Sequence, residues 1–116
     1  MRANLSCLGM ALILATAPFS AGRADEATEI AAGKAMAETY CSSCHAVGSD
    51  GDSPREGAPR FRELGQRFPI ENLAEALAEG IMTGHPDMPE FELTPDEIGV
   101  FLMYLQSIQV TAPISP

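Results

Sequence analysis

The chain of 116 residues is acidic, with 16 Asp and Glu against 7 Lys and Arg and a formal charge of −9. Such a surface repels nucleic acid and anionic lipid, excluding both as partners, and favours proteins with a basic docking patch. The length allows one small domain, and its own apolar area alone makes a marginal core.

The first element is a leader. Arg2 gives a basic start, Leu8 to Ala17 an apolar stretch, and Gly22-Arg23-Ala24 a small-residue exit, the pattern of a secretory signal peptide over residues 1–24. The stretch falls well short of the roughly twenty residues that span a bilayer, which argues against stable membrane insertion. Cys7 precedes the stretch instead of following it, unlike a lipoprotein anchor, and leaves with the leader. The expected mature domain is 25–116, exported to the periplasm. It keeps five basic side chains (Lys34, Arg55, Arg60, Arg62, Arg67) against 16 acidic ones, a formal −11.

A first helix is predicted from Ala27 to Cys44, with Ile30, Gly33, Ala37 and Tyr40 recurring on one face. It delivers the segment CSSCH, Cys41 to His45, the motif of covalent haem c attachment. Two thiols about one helical turn apart match the two vinyl groups on one haem edge, and each adds as a thioether. His45 follows at once, which puts its imidazole under the ring as proximal iron ligand. A zinc site would need more Cys or His ligands than the chain offers. A thioredoxin-like dithiol would need a βαβ setting, which the helical and Gly/Pro-rich surroundings do not provide. One haem per chain supplies the core that the apolar residues lack.

The next stretch, GSDGDSPREGAP, is too rich in Gly, Pro, Asp and Ser for regular structure. A second helix is predicted from Ile70 to Ile81, with Leu73, Leu77 and Ile81 in step and Gly80 or Gly84 ending it. GHPDMPEF then contains both candidates for a sixth ligand, His85 and Met88. Met88 is preferred: it lies in a loop, where a methionine has less reason to be core, and Pro89 fixes the adjoining backbone. Met36 and Met103, inside helices, read as core, and Met82 as packing. The third helix has Thr94 as N-cap, Pro95 at its first position and Glu97 completing a capping box. Ile98, Phe101, Leu102, Leu105 and Ile108 form its apolar stripe.

With these motifs in place, the mature chain resembles the small bacterial class I c-type cytochromes. The matching segments are GKAMAETYCSSCH, GAPRF, GHPDMPEF and TPDEIGVFLMYLQSI. The resemblance implies an all-α cytochrome c fold, three main helices with Gly/Pro-rich loops wrapped around one covalent haem. It also implies that Gly33 of the first helix meets Phe101 and Tyr104 of the last, that the Pro59 carbonyl accepts the His45 ring proton, and that Phe61 lines the haem pocket. Mitochondrial-type members have a lysine-rich docking face and a Trp near a propionate. This chain lacks both, so their partners do not transfer, and Arg60, Arg62 and Tyr40 become the propionate candidates.

The expected function is that of a monomeric periplasmic carrier moving single electrons between larger redox proteins, with His45 and Met88 as axial ligands. Two axial side chains keep small substrates from the iron, so no catalysis is expected there. The alternatives are a haem c subunit of a dehydrogenase or oxidase, and a haem sensor or peroxidase with an exchangeable sixth ligand.

Overall fold

A computed structural model describes residues 21–80 and 87–111. The described chain is all-α, with no strand among the described residues. Helix α1 spans Ala21–Tyr40, α2 Leu73–Glu79 and α3 Pro95–Ser107. Two 3-10 helices, Phe61–Gln66 and Ile70–Asn72, lie between α1 and α2. Most of the expected leader, and also Ile81, Met82, Gly84 and His85, lie outside the described residues. No described helix is long and apolar enough to cross a membrane.

The first helix ends earlier than its periodicity suggests. It gives way at Tyr40 to tight turns through the motif, where Cys44 N–H bonds to the Cys41 carbonyl at 3.2 Å and His45 N–H to the same carbonyl at 2.9 Å. Thr39 and Ser42 hydroxyls donate to the carbonyls of Ala35 and Glu38, a side-chain competition that weakens a helix end. Tyr40 is not on a buried face: it is 55% exposed and meets Phe91 at 6.2 Å between ring centroids.

The predicted second helix is split. Pro69 precedes a 3-10 turn, closed by Asn72 N–H to the Pro69 carbonyl at 3.1 Å, before α2 begins at Leu73. Gly80 ends α2 with φ of 84°, a conformation costly for any side chain with a Cβ. The 3-10 helix at Phe61–Gln66 lies where the sequence has no helical periodicity. It is held from outside by Gln109, whose Nε2 donates to the Phe61 carbonyl at 2.9 Å while its Oε1 accepts from Gly65 N–H at 2.7 Å.

Helix α3 begins as predicted. Glu97 N–H donates to Thr94 Oγ1, and the Glu97 carboxylate accepts from Thr94 N–H at 2.9 Å, closing the capping box. Ile98, Phe101, Tyr104 and Leu105 are buried, while Leu102 and Ile108 pack against the core from its margin. The core joins these to Ala37, Phe61, Leu64, Ile70 and Leu77. Helices α1 and α3 come together at Gly33: a Cβ there would lie 2.1 Å from the Val100 carbonyl oxygen and 2.8 Å from Tyr104 Cβ. The expected partner Tyr104 is thus found, but the tightest contact is backbone, and Phe101 is not among the nearest atoms.

Candidate functional site

The packed helices wall a cavity of about 670 Å³, within the usual range for a cofactor pocket. Helix α1 contributes Met36 and Tyr40, α2 contributes Leu77, and α3 contributes Phe101 and Leu105. Phe61, Leu64, Phe68 and Leu73 add to an apolar wall. All six site residues taken from the sequence, Cys41, Cys44, His45, Pro59, Phe61 and Met88, line this one cavity.

Local hydrogen bonds aim the imidazole. His45 Nδ1 lies 2.8 Å from the Pro59 carbonyl oxygen, which can only accept, so Nδ1 carries the proton and Nε2 keeps a free lone pair. Phe61 packs on the ring at 5.0 Å between centroids and stands edge-on to Phe101 at 6.1 Å. Phe61 N–H donates to the Ala46 carbonyl at 3.0 Å, and Tyr104 hydroxyl to the Val47 carbonyl at 2.7 Å. These two bonds tie the segment after His45 to the 3-10 helix and to α3.

Cys41 and Cys44 are free, half-buried thiols. Burial pushes the Cys41 thiol up to about 11, which keeps it protonated at neutral pH. A redox-exchanging CxxC site relies on a lowered thiol pKa, so the environment opposes that use. Among the described residues no three His, Cys, Asp or Glu converge as a metal cluster. The donor set fits haem c instead: two thiols for thioethers, an imidazole with an available Nε2, a loop thioether, and apolar walls for a flat macrocycle.

Sequence reasoning missed several lining residues. Met36, assigned to the core, does pack against it and also lines the cavity. Of the propionate candidates only Tyr40 lines it; Arg60 is paired with Asp52 at 2.8 Å and Glu63 at 3.0 Å. The cations that line the cavity are Arg55 and Arg67. No local pattern distinguishes these arginines from solvated ones, because their position depends on how distant segments meet.

Residues 28–105 match the family model described as cytochrome C oxidase, cbb3-type, subunit III. Neither the curated proteins nor the solved structures contain a match.

Proposed function

The chain belongs to the cytochrome C oxidase, cbb3-type, subunit III family, and from that premise we propose that it is an exported monohaem electron carrier with His45 and Met88 as axial ligands. Family membership makes it a c-type cytochrome domain with a covalent haem c and haem-based electron transfer as its chemistry. The carrier reading is supported above all by His45 and Met88 lining the same apolar cavity as both motif thiols.

Bound there, haem c supplies a one-electron ferric/ferrous couple. Cys41 and Cys44 would hold it through thioethers. His45 would ligate through Nε2, with the Pro59 carbonyl, accepting from Nδ1, fixing the ring and raising its donor strength. Met88 would present a soft thioether that favours the ferrous state and so raises the potential. Phe61 and the walls from α1 and α3 exclude water and hold the ligands still, so that little reorganises when an electron passes. In this reading the protein binds and positions the haem and passes electrons, and acts on no substrate of its own. Its redox partners dock through complementary charge, with a basic patch meeting this acidic surface.

The mature domain of this reading is residues 25–116, released to the periplasm as a monomer after cleavage of 1–24. N-terminal sequencing of the exported protein checks the cleavage. The visible spectrum and potential of the matured protein test the ligands. The ferric wild type is expected to show the weak red-end band of methionine-to-iron bonding, and Met88→Ala to lose it and bind carbon monoxide when ferrous. A wild type without the band that binds carbon monoxide readily refutes the carrier reading.

The family description favours a second reading, a haem c subunit within an oxidase complex. Co-purification of a large partner through high salt would support it over a free shuttle, whose electrostatic encounter weakens as salt rises.

A further inference from the structure

Met88 sits in the connection between α2 and α3, and contacts of its described residues tie that connection to the rest of the protein. At its far end Leu93 N–H donates to the Leu77 carbonyl at 2.9 Å. In its middle Phe91 meets Tyr40 of α1. Asp87, adjacent to Met88, accepts from the Arg55 guanidinium in an ion pair. Arg55 lies 32 residues upstream, and its own N–H donates to the Cys44 carbonyl at 3.2 Å. Arg55, Asp87 and Met88 all line the cavity.

We propose that the Arg55–Asp87 ion pair is a clasp across the cavity mouth that holds Met88 in its ligating position. The clasp rests on the assignment of Met88 as sixth ligand. One continuous path, from the Cys44 carbonyl through Arg55 and Asp87 to Met88, links the attachment turn to the ligand loop by protein contacts alone. Both partners are positioning residues: neither ligates, and each acts through Met88. Release of the pair removes one restraint on the loop beside Met88, so Met88 swings away more readily and yields the sixth position to an external base. Because both side chains are about half exposed, the clasp is sensitive to salt.

The test uses the ferric holoprotein with imidazole as competing ligand, titrated by loss of the methionine-to-iron band. Arg55→Ala and Asp87→Asn are expected to bind imidazole about 1.5- to 5-fold more tightly than wild type, the range for an exposed ion pair. Wild-type imidazole affinity is expected to rise with ionic strength, and that of the two variants to change little. The reversed pair, Arg55→Asp with Asp87→Arg, is expected to restore the wild-type value. Lys34→Ala, which removes the exposed Lys34–Glu38 pair of α1, serves as control and leaves imidazole affinity unchanged. A wild type with no methionine-to-iron band overturns the Met88 assignment and the clasp together. If the band is present, variants that match wild type in affinity and salt response overturn the clasp alone, as does a reversed pair that fails to restore it.

Discussion

Glycine to alanine at two helical positions should change stability in opposite directions. At Gly33 the added methyl group would stand 2.1 Å from the Val100 carbonyl oxygen and 2.8 Å from Tyr104 Cβ, against ordinary contact beyond 3.4 Å. Both obstacles belong to or adjoin the α3 backbone, so no side-chain rotation relieves them, and α1 and α3 must part by roughly 1 Å. Overpacking of this kind costs about 1–3 kcal/mol, and a backbone obstacle puts Gly33→Ala at the upper end. Replacing glycine inside a helix returns about 1 kcal/mol, leaving a net loss of about 2 kcal/mol. At Gly99, exposed in α3, nothing lies within 4 Å of the new methyl group, and Gly99→Ala should gain about 0.5–1 kcal/mol. Denaturant unfolding of the holoprotein, followed by far-ultraviolet circular dichroism, reads both. In a domain of this size the Gly33 loss lowers the melting temperature by about 8–16 °C. Met36, Tyr40, Phe101 and Leu105 line the cavity from these same helices, so the parting should also weaken the methionine-to-iron band. A Gly33→Ala protein as stable as wild type would refute the close-approach argument.

Further substitutions test the cap, the α3 anchor and one partly buried guanidinium. Thr94→Ala should cost about 1 kcal/mol by thermal unfolding, the usual value of an N-cap. Hydrogen bonds from Thr94 hold the Glu97 carboxyl below its ordinary range, so its contribution exists above the unfolded-state value and is lost as pH falls through the folded one; Glu97→Gln should flatten that acid-side slope. Tyr104→Phe removes the bond to the Val47 carbonyl and should cost about 0.5–1.5 kcal/mol. Burial first, then the Glu38 charge, raises the Tyr104 pKa, so its contribution is complete below the ordinary phenol value near 10 and declines as pH rises through the folded one. Stability curves of wild type and Tyr104→Phe should therefore converge in alkali; parallel curves would contradict the assignment. Arg62 Nη1 is buried with no hydrogen-bond partner among the described residues, and its side chain is 12% exposed. Arg62→Met should leave stability unchanged or raise it, since Glu63 keeps its bond to Arg60. A clear fall in the melting temperature would reveal a partner for that nitrogen in the holoprotein.

What the sequence determined by itself is what depends on neighbours along the chain. Cys41, Cys44 and His45 form one motif because thioether attachment and proximal ligation need fixed short spacing. Thr94, Pro95 and Glu97 start α3 where the capping chemistry requires, and the α3 stripe turns Ile98, Phe101 and Leu105 inward. Periodicity failed where distant contacts or turn geometry compete with it. The predicted second helix breaks at Asn72, and the 3-10 helix at Phe61–Gln66 is braced by Gln109, a residue far along the chain. Pro59 and Phe61 were accessible only through a family resemblance, because the His45–Pro59 bond closes a loop of no particular local pattern. Tertiary structure alone decided the walls: it turned Met36 toward the cavity, brought Arg67 to it, and joined Arg55 to Asp87 beside Met88. The division follows range. Covalent spacing and helix caps are written in adjacent residues, whereas a cavity wall is a property of surfaces that meet only after the chain has packed.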